Sequence, residues 1–338
     1  MKSRLLISTV AALGLLTLPA TAQEGKPDRT GGEAKVQDAS TKKKRKPIYD
    51  EKADASEQIA EALASAQKEN RRVLIQWGAN WCGWCYLLHD TFKNDKQIAK
   101  KLMYEYDVVL IDIGRFDKNI DLWEKYGADL KSGGVPFLTV LDAEGNVLAN
   151  QETGSLETKR DESKPAKEHV NGHDPEVVMS FLTEHQAPYL KAEDVLLQGV
   201  NQASSDGKRV FVHFGAPWCG WCKRLEAWMA QDDVAAVLSK YFVDVKIDVD
   251  RTLGGSDLYQ RLSEGKGGGI PWSAVLNEQG DVVAGSFMNG DQNIGYPVSE
   301  EEIEAFLAML AKGQDRLSDE DRTFLAESLR LARPNRNH

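Results

Sequence analysis

All four cysteines of the chain occur in two closely spaced pairs. Cys82 and Cys85 form the first pair, Cys219 and Cys222 form the second, and each pair lies in the sequence Trp-Cys-Gly-Trp-Cys. Cysteines at this spacing either alternate between a disulfide and two thiols or supply half of a tetrahedral zinc site. Each cysteine has its neighbour three residues away, which favours reversible redox chemistry over long-range structural cross-links.

A short apolar stretch rich in β-branched residues precedes each pair, and a helical pattern follows it. A helix that begins at the first cysteine places that sulfur beside unpaired N–H groups and the positive end of the helix dipole, which favours the thiolate. We therefore predict that Cys82 and Cys219 are the nucleophiles. Cys85 and Cys222 lie one helical turn further on and are predicted to resolve the mixed disulfide.

The two pairs lie in an internal repeat. Val73–Cys85 matches Val210–Cys222 in register, and further along Val135–Leu141 matches Ile270–Leu276. Agreement at two distant places indicates duplicated domains, and alternating strand and helix patterns in each copy predict the α/β class. The predicted boundaries are 53–187 and 188–312 for the two domains and 313–338 for a C-terminal helix and tail.

Zinc binding is the alternative for the cysteine pairs. A whole predicted domain separates the two pairs, and the sequence lacks the additional nearby Cys or His that a compact zinc fold supplies. Redox chemistry is therefore the preferred interpretation. We predict no metal ion and no organic cofactor.

The N-terminal residues predict export. Lys2 and Arg4 precede the apolar stretch Leu5–Leu18, and small residues follow at 20–22. The apolar stretch is shorter than the roughly 20 residues that span a bilayer, so a membrane anchor is the less favoured alternative. The predicted segments are a signal peptide over 1–22 and a flexible polar leader over 23–52, which implies an exported, periplasmic or secreted protein.

The composition predicts a soluble chain with an acidic surface. The 338 residues carry a formal net charge of -10, and 41% of them are hydrophobic, which is enough for packed cores. Nucleic acid is therefore not a predicted partner. The basic run at 42–46 is either a solvated charge run or a patch that touches anionic lipid or an acidic partner.

Both copies resemble the thioredoxin superfamily. Ala79–Cys85 and Ala216–Cys222 carry the resemblance, together with Pro136 and Pro271 further along the chain. It implies a central mixed β-sheet flanked by helices in each domain. The first copy also resembles the thioredoxin-like domains of exported bacterial disulfide reductases and interchange proteins.

The resemblance also implies site roles. In the family the proline follows a cis peptide bond and faces the cysteine pair, and the backbone just before it pairs with the substrate chain. These roles transfer to Pro136 and Pro271. The tryptophans inside the pairs either contact an unfolded substrate chain or pack on the helix. The predicted substrate-binding residues are Trp81, Trp84, Val135, Trp218, Trp221 and Ile270.

The two copies depart from the family at the proton-handling positions. Where thioredoxins have a buried Asp and disulfide isomerases a Glu, this chain has Gln76 and His213. The family's nearby Lys is matched by Lys246, but the first copy has Leu110 there. His213 is either a buried, hydrogen-bonded core residue or a proton relay. An unchanged pH dependence of resolution in a His213→Gln variant would reject the relay.

The sequence thus predicts an extracytoplasmic protein thiol:disulfide oxidoreductase of the reductase or isomerase type. Neither pair has a cationic His between its cysteines, which argues against a strongly oxidising centre. Protein thiols and disulfides are the predicted substrates, and a redox protein is the predicted electron donor or acceptor. The alternative is a chaperone-like or metal-carrying binding module with at most one catalytic copy.

Overall fold

The computed structural model describes residues 45–160, 162–163, 165, 171–313 and 317–333. The predicted signal peptide and the leader as far as residue 44 lie outside the described residues. Among the described residues, no helix combines the length and apolar character needed to cross a membrane.

Two successive α/β domains share a common order of elements. Among the described residues the first domain has one additional helix before its third strand, and the second has two additional short strands and a C-terminal helix. The first contains α1 Ala55–Glu69, β1 Arg72–Gly78, α2 Gly83–Asn94, α3 Lys96–Glu105, β2 Tyr106–Asp112, α4 Ile120–Lys125, α5 Leu130–Gly133, β3 Phe137–Leu141, β4 Val147–Glu152 and α6 Pro175–Glu184. The second contains α7 Ala192–Asp206, β5 Arg209–Gly215, α8 Gly220–Met229, α9 Asp232–Tyr241, β6 Phe242–Asp248, α10 Gly255–Leu262, β7 Trp272–Leu276, β8 Val282–Gly285, β9 Phe287–Met288, β10 Gln292–Asn293, α11 Glu300–Gly313 and α12 Asp319–Leu331.

Each domain is built on a four-stranded mixed sheet, as the sequence predicted. The strand orders are β2-β1-β3-β4 and β6-β5-β7-β8, with one parallel and two antiparallel pairings in each sheet. The central strands β1 and β5 are buried on both faces because helices cover both sides. Each central strand ends at its cysteine pair. The register places Gln76 opposite Leu110 and His213 opposite Lys246.

Between the helix that follows each cysteine pair and the next strand, the structure contains a further helix that residue spacing had not predicted, α3 in the first domain and α9 in the second. Asp95 caps the N-terminus of α3, because its carboxylate accepts hydrogen bonds from the backbone N–H groups of Gln97 and Ile98. This cap and the apolar spacing of Ile98 and Leu102 are signals that the sequence contained.

The end of the predicted leader is not a free polar segment. Tyr49 is 2% exposed, and the backbone N–H groups of Ile48 and Tyr49 both donate to the Asn80 side chain at 3.0 Å. The prediction of a flexible leader is therefore wrong for these residues. It failed because a single buried tyrosine in a polar stretch leaves no periodic pattern to detect.

Two further segments contribute buried residues. In the segment that follows β4, Thr153 and Leu156 are buried. Residues 161, 164 and 166–170 lie outside the described residues. The predicted C-terminal helix is present as α12. Its Leu325 and Leu329 are buried in the core of the second domain, and Ser328 accepts a hydrogen bond from the indole of Trp228.

Candidate active sites

Each cysteine pair forms a disulfide at the start of a helix. Cys82 is the N-cap residue of α2, and Cys219 is the N-cap residue of α8. The backbone N–H of Cys85 points at the Cys82 Sγ at 3.0 Å, and that of Cys222 points at the Cys219 Sγ at 3.1 Å. A negative charge on the first sulfur of a reduced pair would therefore face a backbone donor and the positive end of a helix dipole.

The two cysteines of a pair differ in exposure. Cys82 and Cys219 are 4% and 5% exposed, whereas Cys85 and Cys222 are 0% and 2% exposed. All four cysteines are thus buried, and in both domains the first is slightly more exposed than the second.

Both predicted prolines lie beside the first cysteine of their domain. The peptide bonds Val135–Pro136 and Ile270–Pro271 are cis. The carbonyl oxygen of Val135 lies 3.5 Å from the Cys82 Sγ, and that of Ile270 lies 3.7 Å from the Cys219 Sγ. The structure therefore brings these residues together in each domain, while their roles in substrate binding stay predictions.

A polar side chain holds the proline carbonyl in each domain, and the sequence analysis missed both. The Thr153 hydroxyl donates to the Pro136 carbonyl at 2.7 Å. In the second domain the Asn293 amide donates to the carbonyl of Pro271 at 3.0 Å. The two residues come from different local structures, so no repeat pattern connects them in the sequence.

The tryptophans that precede the pairs are exposed at the edges of the sites. The Trp81 indole donates to the Gly114 carbonyl at 2.6 Å, and the Arg115 guanidinium lies over its ring. In the second domain the Trp218 indole donates to Asp250 at 2.7 Å. Asp250 also accepts a hydrogen bond from Tyr104 of the first domain at 2.6 Å, so one domain contacts the site edge of the other.

The tryptophans inside the pairs have different environments. Trp221 is exposed, stacks on Tyr296 and lies under the Arg224 guanidinium. Trp84 is half-buried and meets His173 edge to face, with 5.7 Å between ring centroids. The choice between substrate contact and helix packing is therefore a separate question for Trp84 and for Trp221.

His173 is a site neighbour that the sequence analysis did not identify. It is 4% exposed, and neither of its ring nitrogens has a hydrogen-bond partner among the described residues. Burial lowers the pKa of His173 to about 4, because an imidazolium at this position would lose its hydration. The ring is thus neutral near neutral pH.

We expect His173 to weaken the fold as the pH falls. The unfolded chain binds a proton at this residue below about pH 6.5, whereas the folded chain binds it only near pH 4. The unfolded state then binds more protons, so acidification from about pH 7 to about pH 4.5 removes about 2 kcal/mol of unfolding free energy. Urea unfolding at both pH values should show a smaller loss in His173→Phe than in the wild type. His185→Phe is the control, and an equal loss in all three proteins would contradict the expectation.

Beneath the first pair, Gln76 binds a tyrosine. Its Nε2 donates to the Tyr49 hydroxyl at 2.7 Å and lies 3.3 Å from the carbonyl oxygen of Cys85. Tyr49 forms a buried cluster with Cys82 and Cys85. The position that holds an acid in the family therefore holds an amide with a phenol bound to it.

Beneath the second pair, His213 is buried, stacks on Phe211 and has its Nε2 3.0 Å from the Asp244 carboxylate. The nitrogen and the carboxylate are close but are not aligned as a hydrogen bond. The relay role of His213 stays a prediction.

Carboxylates that the sequence analysis missed also lie near the second pair. Lys246 contacts Glu226 at 2.9 Å and Glu69 at 2.5 Å. A methyl group on Gly215 would touch both the Glu226 carboxylate and the Cys222 Sγ, so both groups border the space beside this glycine. Burial lowers the pKa of Lys246, but Glu69 and Glu226 outweigh burial and hold that pKa above its usual range. Because Glu69 belongs to α1, the first domain completes this cluster.

Among the described residues, no group of three or more His, Cys, Asp or Glu side chains is placed to hold a metal ion.

Comparisons with known proteins agree with this geometry. Residues 54–143 match a family model described as thioredoxin-like, and residues 179–329 match a model named Thioredox_DsbH and described as a protein of unknown function. The resemblance to thioredoxin-like proteins that the sequence predicted is therefore confirmed. The second match includes α12, which the predicted domain boundary at 312 had left out.

Individual relatives are similar over parts of their length. The protein disulfide-isomerase tigA of Aspergillus niger is 26% identical over 63% of this chain and 57% of its own length. The protein disulfide-isomerase erp38 of Neurospora crassa is 25% identical over 55% of this chain and 46% of its own length. The chain thus spans about half the length of the curated relatives it matches. A solved disulphide isomerase from Xylella fastidiosa is 28% identical, covers 40% of this chain and 95% of its own, and has a TM-score of 0.33.

Proposed function

We propose that the chain is a protein thiol:disulfide oxidoreductase with one redox centre in each domain. The observation that carries the proposal is the same in both domains. The first sulfur lies at a helix N-terminus, beside the carbonyl that precedes a cis proline, and the second sulfur is buried behind it. The names of the curated relatives support the same activity.

The proposed reaction has two exchange steps. In the first domain the Cys82 thiolate attacks a substrate disulfide, forms a bond to one substrate sulfur and releases the other as a thiolate. The Cys85 thiolate then attacks the Cys82 sulfur, which closes the Cys82–Cys85 disulfide and releases the second substrate thiolate. The substrate gains two electrons and the domain loses two. Cys219 and Cys222 perform the same steps in the second domain.

Protein disulfides are the proposed substrates, since the exposed Trp81, Trp218 and Trp221 surround the pairs with apolar surface. Reduction or isomerisation is proposed over net oxidation. Electrons would then come from a redox protein or small thiols. An exported location is part of the proposal, and N-terminal sequencing of periplasmic or secreted protein tests it.

Trapping of the mixed disulfide tests the proposal. A Cys85→Ser, Cys222→Ser variant should accumulate a covalent complex with a disulfide-bonded protein such as insulin, because neither mixed disulfide can be resolved. The complex should be visible on a non-reducing gel and disappear on reduction. The matched control replaces the first cysteine of each pair instead, as Cys82→Ser and Cys219→Ser. A complex that forms equally in both variants would overturn the assignment of nucleophiles, and no complex in either would overturn the function.

A further inference from the structure

A short N-terminal strap, Ile48–Glu51, is fastened to the loop that leads into the first cysteine pair. Asn80 accepts hydrogen bonds from the backbone N–H groups of Ile48 and Tyr49, each at 3.0 Å. Its amide donates to the Tyr49 carbonyl at 3.0 Å and to the Glu51 carboxylate at 2.9 Å. The second copy has Pro217 at the position of Asn80 and has no side-chain amide there to make these bonds.

The strap buries the Tyr49 side chain against the redox centre. Tyr49, Cys82 and Cys85 form one buried cluster. A methyl group added to Gly78 would collide with both the Tyr49 hydroxyl and the Cys85 Sγ. The hydroxyl and the resolving sulfur therefore border the same small space, which exists because residue 78 is a glycine.

The hydrogen bonds of Gln76 determine which role the phenol takes. The Cys85 carbonyl is only an acceptor, so the nitrogen of the Gln76 amide must face it. The same nitrogen faces the Tyr49 hydroxyl and donates to it. The phenol oxygen thus already accepts a hydrogen bond, and its own proton is left for an acceptor on the side of Cys85.

Tyr49 stays protonated near neutral pH. Burial raises the pKa of Tyr49 above its usual range, and the charge of Asp112 and the nearby Tyr86 act in the same direction. Asp112 itself is paired with Lys118 at 2.9 Å. The hydroxyl is therefore a hydrogen-bond donor and not a base.

We propose that the Tyr49 hydroxyl donates a hydrogen bond to the Cys85 thiolate when the first pair is reduced, and so makes the resolving cysteine easier to deprotonate. This role rests on the proposed function, in which Cys85 resolves the mixed disulfide. Tyr49 would thus favour the Cys85 thiolate by hydrogen bonding, whereas the acid that the family has at the position of Gln76 accepts the thiol proton. The second domain, which has Pro217 in place of Asn80, would use other groups.

The test measures the pKa of Cys85 directly in the full chain. With Cys82, Cys219 and Cys222 changed to Ser, Cys85 is the only thiol, and its titration is followed by thiolate ultraviolet absorbance. Tyr49→Phe keeps the ring and removes only the hydroxyl. We expect the pKa of Cys85 to rise by about one unit in Tyr49→Phe, because a hydrogen bond to a charged group is stronger than one between neutral groups. A rise of about one unit lowers the thiolate fraction about tenfold at a pH below the pKa.

Tyr106→Phe is the matched control. Tyr106 is also buried in the first domain, but its hydroxyl donates to the Leu182 carbonyl at 2.6 Å, on a different helix from Cys85. The Tyr106→Phe substitution should leave the pKa of Cys85 unchanged. An unchanged pKa in Tyr49→Phe, or an equal rise in both variants, would overturn the proposal.

A second measurement does not depend on the single-thiol protein. With Cys219 and Cys222 changed to Ser, and at a pH above the pKa of Cys85, the reduction potential of the first pair should become more negative in Tyr49→Phe, because the Cys85 thiolate of the reduced form loses a stabilising hydrogen bond. A potential that stays the same would also overturn the role. Neither result depends on whether insulin is a substrate, so failure of this proposal is distinguishable from failure of the proposed function.

Discussion

Replacing Cys82 and Cys219 together by serine is expected to reduce the catalysed reduction of insulin to the background rate of the small thiol alone. The expected loss is complete because serine cannot form a mixed disulfide, and the remaining Cys85 and Cys222 are almost fully buried. The measurement is insulin turbidity with a small thiol as electron source. Full activity in the double variant would contradict the assignment of both nucleophiles.

The single variants Cys82→Ser and Cys219→Ser then measure how the two domains share the work. Their sites agree in the cysteines and the cis prolines but differ beneath the pair. The first has Gln76 with Tyr49, and the second has Lys246 with two carboxylates. We expect the two single variants to lose unequal fractions of the activity. Equal losses at every pH would show that these differences do not affect the rate.

Replacing Arg251 by alanine is expected to lower the unfolding free energy by about 3–5 kcal/mol, the usual effect of leaving a buried charge without its partner. Arg251 and Glu105 come from different domains, and their side chains are only 9% and 4% exposed. The guanidinium donates to the Glu105 carboxylate at 3.0 Å through Nε and to the Asn70 carbonyl at 2.8 Å through Nη2. Urea unfolding of the full chain measures the change.

Arg261→Ala is the control for this substitution. Arg261 pairs with Glu193 at 2.6 Å, but the two side chains are 57% and 61% exposed. An exposed pair contributes about 0–1 kcal/mol, so the control should be nearly as stable as the wild type. Similar small losses in both variants would show that the fold does not depend on the Arg251 contact between the domains.

The parts of the fold that were predictable are those with a local pattern. Apolar stretches rich in β-branched residues predicted the strands that lead into the cysteine pairs, and apolar residues at helical spacing predicted the helices that follow them. Asp174 with Pro175 marks the start of α6, and Ser299 with Glu302 marks the start of α11, as the structure shows. The helices α3 and α9 were not predicted, although Asp95 gave a capping signal for α3.

The supporting residues of the sites were not predictable in the same way. Tyr49 meets Gln76 across a sequence separation of 27, and Glu69 meets Lys246 across a separation of 177. Neither contact leaves a spacing pattern, since spacing reports only neighbours on one helix or strand. Thr153 and Asn293 hold equivalent proline carbonyls from unlike segments, so comparison of the two copies does not connect them either.

Residue types and spacing alone identify the two cysteine pairs, the strand and helix that hold each pair, and the prolines that recur in both copies. These features are local or duplicated, so residue type and spacing specify them. The polar surroundings of each pair depend on the tertiary structure: a tyrosine from a polar N-terminal strap lies against the first pair, and in the second domain Lys246 pairs with Glu226 and with a carboxylate of the neighbouring domain. The physical reason is that burial and contact between distant segments depend on how the whole chain packs, and no short stretch of sequence contains that information.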